Sequence, residues 1–362
     1  MNVMRTRRSE SSSNLVPPRS AEAASDAAKA TRHQAVLLHE AVEALDIHES
    51  DTVVDATLGG AGHAKKIVDK LGRGGFFVGF DLDSDAIDRA EVLLADSAPK
   101  KVLINANFAE MRNELETRGI NTIDRVLFDL GWSSDQLDAG RGFSFLKDEP
   151  LQMTYRKDSD KALITAATIV NEWEESSLAD IIYGWGEERY SRRIAKAIVA
   201  RRALQPIQTS SELAEIIRKA VPAAYARGRI HPATRTFQAI RIAVNDELGA
   251  LQKGVRAAWK LLRPGGRIAI ISFHSIEDRA VKQLFLELEK RGQGKRVTKK
   301  PMVATAAEVK QNPRSRSAKL RVFESRCEVG TLTAASGKPT YDESSEKNKQ
   351  VQTQRAAGDF AV

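Results

Sequence analysis

The sequence contains few of the residues that mark disulfide-linked, metal-binding or membrane proteins. It has one cysteine, Cys327, among 362 residues, which excludes an internal disulfide and a cysteine cluster. Its six histidines are scattered without the spacing of metal ligands, so we expect no bound metal. No apolar run approaches the roughly 18 residues that a membrane-spanning helix needs. These absences predict a protein of the reducing cytoplasm that does not insert into a membrane.

Large apolar residues are also scarce at both ends. Residues 1–32 are rich in Ser, Ala and Arg, and residues 326–362 are mostly polar. Such segments bury too little surface to offset the entropy of ordering, so we predict a disordered extension and a flexible tail. Acidic residues within the first 32 argue against a transit peptide.

Between these ends, short apolar runs alternate with helical periodicity, which predicts an α/β fold with a parallel sheet. The runs are Val53–Val54, Phe76–Phe80, Val102–Ile104, Arg125–Phe128 and Arg267–Ile271, with Lys319–Phe323 as a candidate edge strand. About 135 residues separate the fourth run from the fifth, far more than a crossover needs. We therefore predict a Rossmann-like domain made of residues 33–137 and 241–325, interrupted by a helical substrate-recognition domain over 138–240. Within it, Thr209 and Glu212 form a capping-box pattern that predicts a helix start.

The most informative stretch is TVVDATLGGAGH, residues 52–63. A strand-like run ends in Asp55, and a loop with three glycines leads into a helical pattern at His63. Glycines let the backbone approach a ligand, and the helix start offers unpaired N–H groups and a partial positive charge. A second apolar run ends in Asp81, whose carboxylate can take both hydroxyls of a ribose. Strand, glycine loop, helix, strand and acid together predict a nucleoside-cofactor site.

The loop favours S-adenosylmethionine over a dinucleotide, and an NAD-linked dehydrogenase is the weaker alternative. The third glycine of the dinucleotide pattern is out of register, and the turn LLRPGG before the fifth run is typical of Rossmann-like methyltransferases. Asp129 ends the fourth run with Trp132 three residues on, a pattern similar to that of base-amine methylases. The pattern leaves open whether Asp129 contacts the cofactor or the amine. His274 either faces the site or ends its strand.

The charge of the chain is unevenly distributed. The net charge is +8, yet residues 290–326 hold twelve Lys and Arg against two acidic residues, a local net of +10. A second basic cluster lies on a predicted helix and comprises Arg189, Arg192, Arg193, Lys196, Arg201 and Arg202. Alone, such runs suit a solvated face equally well. Beside a nucleoside site they favour nucleic acid as a partner, with residues 290–326 as the better candidate for phosphate contacts.

Several blocks, in order over about residues 33–325, resemble the MraW (RsmH) family of small-subunit rRNA methyltransferases. The blocks include DATLGGAGH and FDLGWSSDQLD, and the combination of HPATRTFQAIRI with SFHSIEDR is highly specific. The resemblance implies a class I S-adenosylmethionine-dependent methyltransferase fold with an inserted helical domain. It also implies methyl transfer to N4 of a cytidine in the P-site decoding region of 16S rRNA within the small ribosomal subunit. A homodimer is left open.

The resemblance implies site residues as well, carried over by motif. Asp129 is the catalytic candidate. The implied cofactor contacts are Ala61, Gly62, His63, Asp81, Phe108, Asp129 and Gln136. The implied rRNA side comprises Trp132, Ser133, Ser134, His231, Arg235, Thr236, Gln238 and Arg241, with Trp132 placed to stack on an unstacked cytidine. Because no thiol lies near these motifs, we expect direct in-line transfer without a covalent intermediate, and the proton can leave afterwards.

The chain departs from the family pattern at four positions. Gln152 stands where the family usually has a carboxylate, and Thr154 stands in place of an arginine. Trp132 replaces a small aliphatic residue, and Ala56 replaces a glycine. Gln152 and Thr154 keep an alternative open, a non-catalytic ribosome-assembly factor that binds rRNA and retains the cofactor site.

Overall fold

The computed structural model describes residues 34–131, 140–156 and 164–326. Four site candidates lie outside these ranges: Trp132, Ser133, Ser134 and Gln136. The predicted extension, Cys327 and nearly all of the predicted tail also lie outside them. Among the described residues, no helix combines the length and the apolar content needed to span a bilayer.

The described strands form one sheet. They are β1 (Thr52–Asp55), β2 (Phe76–Asp81), β3 (Lys100–Asn105), β4 (Ile123–Asp129), β5 (Leu262–Ser272), β6 (Gly294–Arg296), β7 (Met302–Val303) and β8 (Lys319–Ser325). Their order is β3–β2–β1–β4–β5–β8–β6, and β7 also pairs with β8. Strands β1 to β5 are parallel, and β8 runs antiparallel to β5, β6 and β7. The predicted parallel α/β sheet is confirmed.

Two sequence-based details of the sheet need correction. The candidate edge strand, β8, lies inside the sheet because the short strands β6 and β7 pair with its other side. The turn LLRPGG ends a helix at Leu261 as predicted, but β5 begins directly at Leu262 rather than at Arg267. Left-handed Gly265 (φ +76°) and a register shift between Ile123 and Arg125 allow the strand to continue through this turn.

Helices cover both faces of the sheet. They are α1 (Leu38–Leu45), α2 (Gly62–Val68), α3 (Ser84–Leu93), α4 (Met111–Glu116), α5 (Ala166–Glu172), α6 (Glu175–Gly184), α7 (Ser191–Arg202), α8 (Ser210–Ala220), α9 (Ala223–Ala226), α10 (Thr234–Asn245), α11 (Glu247–Leu261), α12 (Ser275–Lys290) and α13 (Ala306–Gln311). Helices α1 to α3 pack on one face, and α4, α11 and α12 pack on the other. Successive strand residues alternate between these cores, as Val53 and Val54 do, because side chains alternate across a strand.

The segment between β4 and α11 has a third hydrophobic core. Its buried members run from Phe143 to Ile240 and come mainly from α5 to α10. The predicted capping box is confirmed, because the Thr209 side chain accepts from the Glu212 N–H and Glu212 accepts from the Thr209 N–H. The predicted boundary after residue 240 falls inside α10, which packs on this core as far as Val244. A boundary near Asn245 fits the packing better.

Candidate active site

Three aspartates meet at one edge of the sheet. Asp55 ends β1, Asp81 ends β2 and Asp129 ends β4, and β1 lies between the other two strands. The strand order reverses between β1 and β4, and open α/β sheets bind ligands beside such a reversal, at the carboxyl ends of their strands. The three carboxyls therefore lie where a ligand is expected.

Burial raises the pKa of two of these carboxyls most strongly. It raises the pKa of Asp129 to about 7; the N–H of Gly131 opposes this shift and the charge of Glu277 adds to it. Burial also raises the pKa of Asp55 well above its usual range, although Asp55 Oδ1 accepts from the N–H of Thr57. Asp55 Oδ2 has no hydrogen-bond partner among the described residues. A cation bound at this edge would stabilise the ionised carboxylates.

Asp81 joins the glycine loop to the end of β2. Its Oδ2 accepts from the N–H of Gly59 (2.8 Å), and its Oδ1 accepts from the N–H of Asp83 (2.9 Å). Burial raises its pKa to about 6, and these two hydrogen bonds oppose the shift. A carboxylate offers about four lone-pair positions, so Asp81 keeps acceptor capacity for ribose hydroxyls.

The strand ends open into a cleft of about 1010 Å³, including the space at its mouth. Four described lining residues are acidic (Asp81, Asp129, Glu247 and Glu277), and none of the described lining residues is Lys or Arg. A chain with a net charge of +8 thus encloses an acidic cleft.

Most of the implied cofactor contacts line this cleft, namely Gly62, His63, Asp81, Phe108 and Asp129. Ala61 is not among the lining residues, and its contact with the cofactor stays a prediction. Its side chain is 1% exposed and packs in the core beneath α1 and α2. Ala61 also has a left-handed backbone (φ +58°) immediately before α2, so it shapes the loop from below.

Residues 34–37, called the strap below, lie against the glycine loop. The Nε2 atom of His63 lies 3.1 Å from the carbonyl oxygen of Val36, and its Nδ1 lies 3.5 Å from Asp129 Oδ2. A Cβ atom at Gly62 would lie 2.9 Å from the Cβ of Ala35, which itself lines the cleft. Glycine is therefore required at position 62 by the close approach of the strap.

The strap is held by the distant end of the described chain. The N–H of Leu37 donates to Glu308 Oε1 (2.7 Å), and the side-chain amide of Asn312 donates to the carbonyl of Gln34 (3.0 Å). These contacts span 271 and 278 residues of sequence. The side of the cleft that contains the glycine loop is thus completed by both ends of the described chain.

Phe108 forms one wall of an apolar slot in the cleft. Its ring meets Phe128 edge to face, with centroids 5.4 Å apart. Ala250 and Leu251 of α11 line the same cleft. A Cβ at Gly254 would lie 2.5 Å from the Phe108 ring, so the absence of a side chain there lets the ring seat against α11. The slot suits a flat aromatic group such as a purine.

Another wall of the cleft contains residues that sequence reasoning missed. Tyr155 donates its hydroxyl to Glu247 Oε1 (2.8 Å), and Arg241 donates two hydrogen bonds to Glu247 (2.7 and 2.9 Å). The backbone N–H of Tyr155 donates to Asn245 Oδ1 (2.9 Å). Burial raises the pKa of Tyr155 well above its usual range, so this hydroxyl stays protonated. The polar residues that follow the apolar run of α10, Asn245 and Glu247, were the available signal.

His274 caps a helix and does not line the cleft. It ends the connection after β5, and its Nδ1 accepts from the N–H of Glu277 at the start of α12 (3.3 Å). Possible metal ligands of Glu247, His274 and Glu277 lie within 4.8 Å of one another. Glu247 already accepts from Arg241, and Glu277 accepts from the N–H of Phe273. The expectation that no metal is bound stays a prediction.

Two implied rRNA contacts need correction because they face inward. Thr236 is fully buried, and Arg241 is 9% exposed with its guanidinium on Glu247. Burial opposes the charge of Arg241, yet Glu247 and its neighbours raise the guanidinium pKa above its ordinary value. Arg241 therefore holds the wall of the cleft and does not reach a polymer outside it.

The remaining described candidates on the rRNA side lie at the surface of the helical segment. His231 is exposed and stacks on Phe145, with centroids 4.4 Å apart. Half-buried Arg235 donates to the carbonyl of Glu187 (3.2 Å). The side-chain amide of Gln238 donates to the carbonyl of Trp185 (2.9 Å), and this hydrogen bond fixes the turn before α7.

Of the three described departures from the family pattern, only Ala56 lines the cleft. Thr154 is buried and its hydroxyl accepts from the N–H of Arg156 (3.2 Å), a local structural contact. Gln152 is half-buried and does not line the cleft. Ala56 lines the cleft and is itself buried, so its extra methyl is accommodated.

Comparison with known proteins agrees with this geometry. Residues 30–326 match the sequence model of the MraW methylase family. A protein from Paenibacillus sp. (strain JDR-2), named ribosomal RNA small subunit methyltransferase H, is 47% identical over 81% of this chain and 99% of its own length. A protein of the same name from Deinococcus deserti is 48% identical over 81% of this chain and 93% of its own length. By the extent of these matches, the chain belongs to the MraW methylase family.

Proposed function

We propose that this chain transfers a methyl group from S-adenosylmethionine to N4 of a cytidine in the P-site decoding region of 16S rRNA, within the small ribosomal subunit and in the cytoplasm. One observation carries the proposal: a methylase of this family places an acidic cleft, without a described Lys or Arg in its lining, at the carboxyl ends of its central strands. The relatives named above support rRNA as the substrate.

The residues of the cleft fit the donor. Asp81 retains acceptor positions for ribose hydroxyls, and the slot beside Phe108 suits adenine. Asp129 lines the cleft and its pKa is raised by burial, so a positive charge bound beside it would favour its ionised form. The bound donor supplies an electrophilic methyl group on a sulfonium centre.

Asp129 is suited to the acceptor amine. The lone pair of an exocyclic cytosine amine is delocalised into the ring, so an acceptor must hold its N–H groups while the nitrogen attacks. The Asp129 carboxylate lines the cleft and can accept such an N–H. With a pKa of about 7, the same carboxyl can take the proton that the methylated nitrogen releases. His63 and the N–H of Gly131 hold Asp129 in place.

Tyr155 and Glu247 would form the wall that orients the cytosine. Arg241 fixes Glu247 by two hydrogen bonds, and Glu247 fixes the Tyr155 hydroxyl, so the wall is set before the substrate arrives. Such preorganisation makes in-line positioning effective. We also propose that the helical segment between β4 and α11 recognises the surrounding rRNA.

The test uses S-adenosylmethionine with a labelled methyl group and small ribosomal subunits from cells that lack the mark. We expect label at N4 of one cytidine in the P-site region, located by nuclease digestion and mass spectrometry. Label at another position, or none where a relative labels this cytidine, would contradict the proposal.

The non-catalytic alternative rests on Gln152 and Thr154, neither of which lines the cleft. We therefore expect Gln152→Asp with Thr154→Arg to leave methylation within a few-fold of the parent chain. Activity that appears only in the double variant would favour the assembly-factor function.

A further inference from the structure

The two basic clusters of the sequence differ in how their charges are satisfied. Within residues 290–326, five of the twelve basic side chains form ion pairs with carboxylates. These are Arg291 with Glu287, Lys295 with Glu324, Arg296 with Glu289, and both Lys319 and Arg321 with Asp278. Much of the larger cluster therefore stabilises β6, β8 and α12.

The second cluster is different only at the start of α7, because at the other end of the helix Arg201 pairs with Glu212 and Arg202 donates to the carbonyl of Val170. Arg189, Arg192, Arg193 and Lys196, called the arginine face below, are all exposed. No carboxylate of the described chain is within ion-pair distance of any of them. Residues three and four apart share one side of a helix, so the three that lie within α7 form a single stripe. Arg189 precedes the stripe by less than one turn.

The fold places these charges where a helix does not favour them. Arg192 and Arg193 lie in the first turn of α7, which has no acidic residue. Cations near a helix N-terminus are disfavoured by the helix dipole. The position and the lack of paired carboxylates point to a polyanion outside the chain as the compensating partner.

Arg189 is held by two aromatic rings. Its guanidinium carbon lies 4.8 Å from the ring centroid of Tyr190 and 5.0 Å from that of Tyr225. The two rings meet nearly edge to face at 4.9 Å, and Tyr225 donates its hydroxyl to the buried carboxylate of Glu188. A guanidinium fixed in this way keeps its planar set of donors oriented, and loses less entropy when it binds a phosphate.

The arginine face lies beside the cleft. Glu187, two residues before Arg189, accepts from Ser275 Oγ (2.6 Å) and from Arg279 (2.7 Å) at the start of α12. Glu277, in the same first turn, lines the cleft. Since two residues of chain span at most about 7 Å, Arg189 lies close to the helix start that borders the cleft.

We propose that the arginine face binds the phosphates of the rRNA strand that flanks the target nucleotide. The inference rests on the proposed function, and it assigns the strand-holding surface to the start of α7 instead of residues 290–326. The acidic cleft then receives the neutral base while the phosphates remain on basic side chains at its mouth. Contacts to phosphate position a nucleic acid and do not read its sequence.

The test compares the salt dependence of RNA binding between matched variants. In Arg189→Gln/Arg192→Gln/Arg193→Gln, three phosphate contacts are lost. With about 0.7 counterions released per contact on single-stranded RNA, the slope of log K against log salt should fall by about 2. Binding to unmethylated small subunits is measured between 50 and 200 mM KCl, and we expect at least tenfold weaker binding at the lower salt. S-adenosylmethionine binding, measured by calorimetry, should be unchanged.

Two controls separate this surface from general loss of charge. Lys299→Gln/Lys300→Gln/Lys310→Gln removes the same charge from exposed residues of the other cluster and should keep the parent slope. Arg189→Lys/Arg192→Lys/Arg193→Lys keeps the positive charge and should therefore also keep the slope of the parent chain. An unchanged slope in the glutamine variant of the arginine face, or an equal fall in the lysine-cluster variant, would overturn the inference.

The outcomes also distinguish this inference from the proposed function. One outcome is that the parent chain leaves the cytidine unlabelled, while only the glutamine variant of the arginine face has a smaller slope of log K against log salt. The proposed function is then wrong and the binding surface is supported. If the parent chain methylates the cytidine and all variants share one slope, the function stands and the surface is wrong. Absence of RNA binding by the parent chain would overturn both.

Discussion

The cleft and the outer surface of the helical segment carry opposite charge. The described cleft lining has four carboxylates and no Lys or Arg, whereas the arginine face has four cations and no paired carboxylate within the described chain. Glu187, two residues before the arginine face, contacts the start of α12, where Glu277 lines the cleft. An acidic cleft repels phosphate and favours a cationic donor and an amine, while the basic surface does the reverse. Under the proposal above, this separation of charge would admit a base to the cleft and keep its phosphates outside.

The largest effect is expected from substitution of Glu247 in the wall of the acidic cleft. Glu247→Gln leaves the buried Arg241 without its ionic partner, and breaking one side of a buried pair costs about 3–5 kcal/mol. We expect a loss of that order in the free energy of unfolding, measured with urea. Arg241→Met/Glu247→Leu should recover most of the stability and still lack activity, because Tyr155 has lost its acceptor. Full activity in that double variant would show that the wall is not used.

The second test removes the charge of Asp129, the carboxylate that we propose contacts the cytosine amine. Asp129→Asn keeps the shape of the carboxyl but cannot accept a proton, so we expect kcat to fall by about 100-fold or more, equivalent to about 2.7 kcal/mol. Binding of rRNA should change little, because the arginine face is intact. Kinetics with saturating small subunits measure the effect. A fall in RNA affinity with unchanged kcat would place Asp129 on the binding surface instead.

The third test uses pH to measure the cost of the acidic cleft in the empty protein. The pKa of Asp129 is about 7 in the folded protein, against about 3.9 when unfolded. Between pH 4 and pH 7, the folded state therefore binds more protons at Asp129 than the unfolded state does. The free energy of unfolding consequently falls as the pH rises through this range. Asp129→Asn removes this dependence on pH, so the variant should exceed the parent in stability by about 1–3 kcal/mol at pH 8 and by less at pH 5. Urea unfolding at both pH values gives the difference, and an equal difference at both would contradict the raised pKa.

The smallest effect is expected where the two regions are joined. Glu187→Gln weakens the bonds to Ser275 and Arg279, which are solvent-exposed, so its cost in stability should stay below about 1 kcal/mol. Because the arginine face then sits less firmly beside the cleft, KM for small subunits should rise about two- to fivefold with kcat unchanged. Arg112→Gln, an exposed ion-paired residue on α4, serves as the control and should leave KM unchanged. A fall in kcat alone would show that Glu187 acts on the cleft and not on RNA placement.

The sheet and the strand ends could be predicted from sequence because both follow from local patterns. Asp55, Asp81 and Asp129 each end a short apolar run, and parallel strands bring such ends to one edge. The capping box at Thr209 was equally local and is confirmed. The predicted membership of the MraW methylase family is confirmed by the match over residues 30–326. The assignment of individual residues to donor and rRNA stays a prediction.

What the sequence could not show depends on partners far apart in the chain. Tyr155 joins the cleft through Glu247, 92 residues away, and no local pattern marks that contact. Thr236 and Arg241 share a motif with exposed residues, and only the packing of α10 decides that they face inward. The two basic clusters were ranked by charge density, whereas their ion pairs depend on which carboxylates the fold brings near.

The strap over the glycine loop has a consequence for the order in which the protein becomes competent. Residues 34–37 are synthesised before Glu308 and Asn312, the residues that hold them, which follow their partners by 271 and 278 residues of sequence. The glycine loop and its aspartates can fold sooner, but the strap beside them cannot be fastened until translation of these late residues is complete. A chain that ends before Glu308 would therefore have an incomplete cleft beside the glycine loop, and we expect methyl transfer only from chains that include residues up to Asn312.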